Sequence, residues 1–191
     1  TIANEINDKK FQAKSLHTLA KFYKAIGQWK KSLEYLNNAL KIAISLNEKN
    51  LMCELKREIG GVYNFMGETD LALKYIEEGL AMAKILNDEY LIAKYQNDRG
   101  LIYCKNEKFE QALDCFTSSI KFKEKINDKF GVGVSMGNIV DVYYSKKDYE
   151  KALFYCKEAL KTIEEIKDSW GIAVNLHNIG DIYFQLKKYN E

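Results

Sequence analysis

The chain has 191 residues, 47% hydrophobic and 29% charged, with a net charge of +2 and no proline. So even a balance of basic and acidic residues gives no general field to draw in nucleic acid or a membrane surface. No apolar run reaches the roughly 18 residues of a transmembrane helix, so neither partner class is expected.

In chain order, Ile6-Asn7-Asp8 matches Leu46-Asn47-Glu48, so residues 1–8 read as the tail of a preceding repeat. Four rows of forty residues follow at 15–54, 55–94, 95–134 and 135–174 without insertion or deletion, and 175–191 opens a fifth that holds only a first helix. Tyr23, Tyr63, Tyr103, Tyr143 and Tyr183 form one column, and Phe22, Val62, Ile102, Val142 and Ile182 another. Leu33, Leu73, Leu113 and Leu153 form a third, with Leu40, Leu80, Ile120 and Leu160 a fourth. A fixed period of this size predicts stacked supersecondary units, each too small to bury its own apolar face.

Every row holds two helical patterns. In the second, Leu51, Ile59, Val62, Tyr63 and Met66 mark one amphipathic helix, which Gly67 ends by taking the left-handed conformation. Asp70 is read as the cap of the next helix, whose stripe is Leu73, Ile76, Leu80, Ala83 and Leu86. Asn87-Asp88 closes the row, and the following helix begins near Tyr90. Asn47-Glu48, Asn127-Asp128 and Lys167-Asp168 fill the same turn elsewhere, whereas Glu107, Lys147 and Lys187 replace Gly27 and Gly67 in the turn inside each repeat. Helices of about 16 residues would be about 24 Å long. Small residues at Ser32, Ala72, Ala112 and Ala152, and at Ala39, Gly79, Ser119 and Ala159, allow close helix approach.

Cys53, Cys104, Cys115 and Cys156 show no C-x-x-C spacing, which fits a reducing, cytoplasmic compartment, and Cys115 and Cys156 read as small core residues. Trp29 and Trp170 are expected to close the edges of the core. Gly131-Val132-Gly133 follows no strand and is read as permitting tight helix packing or loosening the start of a helix, not as a nucleotide fingerprint. No H-E-x-x-H, zinc-type cysteine pair, Walker loop or G-x-S-x-G occurs, so no enzyme, cofactor or metal is expected. His17 and His177 lie four repeats apart and are not expected to share an ion.

Ile59-Gly60 with Tyr63, Gly100 with Tyr103, Ile179-Gly180 with Tyr183, and Ala72, Ala112 and Ala152 together resemble a tetratricopeptide repeat array in its forty-residue variant. The departures are Val140 at the glycine position and the missing proline. The resemblance implies an all-α, right-handed superhelical solenoid of antiparallel helix pairs with about nine helices. Similar arrays occur in kinesin light chains, spindle-orientation adaptors and bacterial signalling proteins. The excess of Lys (27) over Arg (2) points toward a low-GC bacterium and so toward the last group.

The resemblance further implies that the chain, as a fragment of a longer array in a multidomain protein, is a non-catalytic scaffold binding a peptide or protein in a groove lined by first helices. The alternative is a peptide-sensing domain controlling an attached kinase, cyclase, transcription factor or protease. Mapped onto this chain, the groove takes Lys14, His17, Lys21 and Lys24, then Glu54, Arg57, Gly61 and Asn64, then Lys94, Asn97, Leu101 and Cys104. It continues with Val134, Gly137, Asp141 and Tyr144, and ends with Val174, His177, Asp181 and Phe184. Lys14, Lys21, Lys24 and Arg57 would hold an acidic peptide or terminal carboxylate, with Tyr144 and Phe184 as apolar anchors. The asparagines of the chaperone-type carboxylate clamp are absent at Lys21 and Gly61. Exposed array ends leave room for a homodimer.

Overall fold

The chain is described by a computed structural model covering residues 2–187; Thr1 at the expected tail and residues 188–191 of the expected fifth repeat lie outside the described residues. Nine helices and no strands occur among the described residues: α1 (Ile2–Ala25), α2 (Trp29–Ser45), α3 (Lys49–Met66), α4 (Thr69–Ile85), α5 (Glu89–Lys105), α6 (Phe109–Lys125), α7 (Lys129–Ser145), α8 (Tyr149–Glu165) and α9 (Ser169–Gln185). From α2 onward a helix starts every 20 residues, so each forty-residue row is two half-periods of nearly equal length. Most helices have 17 residues, or about 26 Å at 1.5 Å per residue.

The turns explain how the register survives loss of glycine. Gly27 and Gly67 have φ of 73° and 83°, and Glu107, Lys147 and Lys187 take the same left-handed conformation at 58°, 60° and 58°. Asn47, Asn87, Asn127 and Lys167 do so in the other set of turns. At Lys147 the N–H donates to Tyr144 O at 2.9 Å and the next N–H, of Asp148, reaches Tyr143 O at 2.9 Å; Gly67 and Glu68 repeat the pattern on Asn64 and Tyr63. Two backbone hydrogen bonds thus hold a conformation that costs a non-glycine residue roughly 1–2 kcal/mol.

Two expectations change at helix starts. Asp70 is not a cap: α4 is preceded by Glu68, which makes no side-chain cap bond, and Asp70 lies in the first turn, where its charge still complements the helix dipole. The side-chain caps are Asp88 on Leu91 N–H at 2.9 Å, Asp128 on Gly131 N–H at 2.8 Å and Asp148 on Lys151 N–H. Near the N-terminus, α1 runs unbroken through Ile6-Asn7-Asp8, which matches the turn sequence elsewhere. Those residues lack the left-handed position that ends each other helix.

Contacts divide the chain into two units, Thr1–Leu91 and Ile92–Glu191. In the first, α1 packs on α2, α2 on α3 and α3 on α4. Its core joins Ala13, Ala20, Leu36, Ala39, Leu40 and Ala43 to Leu51, Leu55, Ile59 and Val62. In the second, α6 packs on α7, α7 on α8 and α8 on α9, around Phe116, Ile139 and Val142 and around Val140, Cys156 and Ile182. Each fully buried Leu, Ile, Val or Phe side chain contributes roughly 1.5–3 kcal/mol.

Size is matched between facing columns. A Cβ on Gly60 would meet Ile76 at 2.9 Å, and one on Gly100 would meet the Phe116 ring at 2.5 Å. Where Val140 occupies the glycine position, the residue in the column of Ile76 and Phe116 is the small Cys156, and the two share one cluster. Gly133 likewise admits Ile163, whose side chain a Cβ would meet at 2.4 Å.

The tyrosine column is half-buried, not enclosed. Its rings stack on a second column, Tyr23 on Tyr35, Tyr63 on Tyr75 and Tyr143 on Tyr155, at 5.2–5.6 Å between centroids. Phe22 is exposed although Val62, Ile102, Val142 and Ile182 in its column are buried, because no preceding helix lies against α1 among the described residues. Trp29 packs against the first core and stacks on Phe65. Trp170 is 75% exposed and closes no edge; it shares an outward-facing column with the exposed Tyr90 and Phe130. Cys115 and Cys156 are buried, and all four cysteines are unbridged.

Candidate functional site

The expected groove residues fall on two first-helix faces, one in each unit. On the first, α1 presents Lys14, His17, Lys21 and Lys24, and α3 presents Glu54, Arg57, Gly61 and Asn64. Its positive charge is smaller than the sequence implies. Glu58, one position off the mapped column, accepts a hydrogen bond from Lys24 and pairs with Arg57 Nη2 at 3.3 Å. Burial opposes ionisation of Glu58, but Lys24, then Arg57 and Lys21, overcome it and hold the carboxyl below its ordinary range. Lys14 and Lys21 stay exposed.

His17 is not an open groove residue: it is 8% exposed, and its Nε2 has no hydrogen-bond partner. Burial, then the charge of Lys21, lowers its pKa, against Glu58 and Glu54.

The face of the second unit is mixed. On α5, Lys94, Asn97 and Cys104 are half-buried and Leu101 is exposed; on α7, Val134, Asp141 and Tyr144 are exposed and Gly137 half-buried; on α9, Val174, His177, Asp181 and Phe184 are all exposed. Between α7 and α9 lies a cleft of about 200 Å³ lined by Val140, Asp141, Tyr144, Asn178, Asp181 and Ile182. Val140 and Ile182 give it an apolar floor, while two carboxylates and a phenol stand at its sides. The Tyr144 hydroxyl accepts from Gln185 Nε2 at 3.2 Å, and His177 Nε2 lies 3.5 Å from Asp181 Oδ2. Asp141 remains accessible to water as a residue, yet crowding by protein atoms pushes its carboxyl above the ordinary range.

Behind this face is a polar network at positions where the first unit has the apolar Ala43 and Leu55. Lys123, 6% exposed, donates to Gly131 O at 2.9 Å and to Ser135 Oγ at 2.8 Å. Ser135 Oγ donates to Asn97 Oδ1 at 3.0 Å, and Asn138 Nδ2 donates to the same oxygen at 3.0 Å. Sequence mapping missed Glu58, Lys123, Ser135 and Asn138. For Lys123 the signal was present as a break in an apolar column, which it shares with Ala43, Ala83 and Ile163; the Ser135 column also holds Ser15 and Asn175 and carried no such signal.

Chemically, these faces offer hydrogen bonds, charge and apolar contact. Burial and then Asp141 push the Cys104 thiol up, and the same causes push Cys156 up to about 11, so neither is a ready thiolate. Among the described residues no group of three His, Cys, Asp or Glu could hold a metal ion, and no helix is long and apolar enough to cross a membrane.

A family model described as Tetratricopeptide repeat matches residues 11–85 and 51–125, and a second of the same description matches 135–165. No curated protein sequence matches the chain. Three similar solved structures are BtubC (BKLC) from P. vanneervenii, a STAND protein with a tetratricopeptide repeat sensor from Pyrococcus horikoshii, and a Rap protein complexed with Competence and Sporulation Factor. BtubC is 16% identical with a TM-score of 0.78, over 99% of this chain and 85% of its own. The STAND protein is 20% identical with a TM-score of 0.83, over 93% of this chain and 27% of its own. For the Rap protein the values are 19% and 0.79, over 97% of this chain and 54% of its own. At these identities the likeness establishes the fold.

Proposed function

The chain belongs to the tetratricopeptide repeat family, and from that premise we propose that it is a non-catalytic module binding an extended peptide or protein segment on its first-helix faces. The observation that carries this reading is the contrast between uniform core columns and first-helix columns that change character from repeat to repeat. A scaffold needs the former, and private recognition needs the latter.

Of the two faces, that of the second unit has the better equipment for holding a side chain. Asp141 and Asp181 flank an apolar-floored cleft, with Tyr144 lining it and Phe184 exposed on the same helix face as Asp181, which suits a segment carrying a basic residue next to an apolar one. An acidic partner on the first unit is the weaker version, because Glu58 already engages Lys24 and Arg57. A second reading, in which ligand binding regulates an attached effector, draws support from the Rap protein complexed with Competence and Sporulation Factor and from the repeat sensor of the STAND protein.

Selection of displayed random peptides on the whole chain tests the proposal. The reversals Asp141→Lys and Asp181→Lys together should abolish binding of the best peptide, while Lys14→Glu with Lys21→Glu should leave it within a few-fold. The opposite ranking would move the site to the first unit; failure to enrich any peptide would remove the reading.

A further inference from the structure

We infer that the cleft lined by α6, α7 and α8 binds a small primary alkylammonium, with Glu158 and Glu124 taking its charge and Val132 and Met136 its stem. The site is separate from the proposed peptide face: no residue lining the cleft between α7 and α9 lines this one.

The second and fourth repeats differ here at matched positions. In the second these are Met52, Lys56, Glu78 and Met82; in the fourth they are Val132, Met136, Glu158 and Thr162. Lys56 Nζ pairs with Glu78 Oε2, and the lysine side chain is 14% exposed. The second repeat thus carries its own alkylammonium, reaching from α3 to a carboxylate on α4. The fourth repeat keeps that carboxylate as Glu158, but Met136 brings no charge to meet it. Thr162 and Val132 each replace a methionine, so side-chain volume is withdrawn at the same place. A cleft of about 350 Å³ opens there, lined by all four residues. The lost cation and the lost volume coincide, and one ligand with an ammonium on an apolar stem answers both.

The surrounding charges agree. Four carboxylates and two ammonium groups line the cleft. Asp128 caps the Gly131 N–H at 2.8 Å, and Lys129 bonds Glu165 at 2.8 Å. Lys161 adds its field to that same Glu165 carboxylate. Glu124 on α6 and Glu158 on α8 make no side-chain hydrogen bond or ion pair among the described residues. An anion would be repelled by these two, and a neutral solute would leave them unmet. The volume falls at the lower end of the roughly 300–1,000 Å³ of small-molecule sites, which favours a free amine.

The test uses the whole chain with carbon-13 at its methionine and valine methyls, titrated with hexylamine at low ionic strength. The methyls of Met136 and Val132 should shift saturably while those of Met52, Met66 and Met82 stay in place. Hexanol and hexanoate, which share the stem, should bind about tenfold more weakly or not at all. Glu158→Gln should weaken hexylamine roughly tenfold, and Glu124→Gln by a smaller factor. Met136→Lys and Thr162→Met restore residues of the second repeat; each should abolish the Val132 shift with the melting temperature unchanged or raised. Equal affinity for hexylamine and hexanol, indifference to Glu158→Gln, or shifts spread evenly over the methionines would overturn the inference. Tighter binding of Nα-acetyl-lysine methylamide than of hexylamine would overturn its free-ligand part and assign the cleft to a protein lysine.

Discussion

The interface between α2 and α3 and the interface between α6 and α7 occupy the same place two repeats apart but are built from different material. In the first, Ala39, Ala43, Leu55 and Ile59 pack as an apolar cluster. In the second the corresponding positions are Ser119, Lys123, Ser135 and Ile139, three of them polar and buried. The backbone geometry hardly distinguishes them: helices of matching length start 20 residues apart in both. A pair of packed positions therefore prescribes combined volume and satisfied bonding, not hydrophobicity: small Ala43 with large Leu55 in one interface, large Lys123 with small Ser135 in the other. An ammonium can stand where alanine stands, provided that Gly131 O and Ser135 Oγ receive it.

That comparison can be broken or sharpened by substitution. The largest effect is expected in the shared apolar remainder: Phe116→Ala should cost about 3–5 kcal/mol and Ile59→Ala about 2–5 kcal/mol in denaturant unfolding, since both are fully buried. Ser135→Ala should cost about 1–3 kcal/mol, because it strips a buried cation of an acceptor although the volume change is slight. A loss below half a kcal/mol would mean that the network is ornamental. Lys123→Met, by contrast, should be neutral or stabilising by up to about 4 kcal/mol, since a well-packed apolar chain restores the first interface's chemistry.

A smaller effect separates the units by pH. Burial holds the His17 imidazole below its ordinary value of 6.5, so the unfolded chain takes up that proton first as the medium acidifies. The stability of the neutral form is full above the ordinary value and is lost as pH falls from there to the lowered one. His17→Leu should flatten this slope in melting temperature against pH; an unchanged slope would assign it to other groups. Smallest of all, Lys147→Gly should stabilise by up to about 1 kcal/mol, because it relieves a left-handed lysine at φ 60°. The opposite exchange at the matching position, Gly67→Ala, should destabilise by about 1 kcal/mol.

Much of the fold was legible because period and burial coincide. The columns of Val62, Ile102, Val142 and Ile182, and of Ala72, Ala112 and Ala152, are buried as their uniformity predicts. Glycine in the turns was legible as a signal but not as a requirement, since Glu107 and Lys147 adopt the same conformation under two backbone bonds. The electrostatics of the candidate site were not legible: the mapped residues lie on α1, α3, α5, α7 and α9, but His17 is buried and Lys24 is paired. The residue that pairs it, Glu58, sits one position outside the mapped columns. A side chain's charge is in the sequence; whether another helix brings a counter-charge within reach is not.

By itself the sequence determined the helical class, the forty-residue repeat and the small residues at each crossing, because those follow from local periodicity and from volumes repeated at fixed spacing. Only the tertiary structure decided that Cys156 makes room for Val140, that Lys123 finds its oxygens on α7, and that Asp141 and Asp181 stand around one cleft. Such outcomes depend on distances between residues some 8 to 40 positions apart, and the packing of one helix on the next sets those distances.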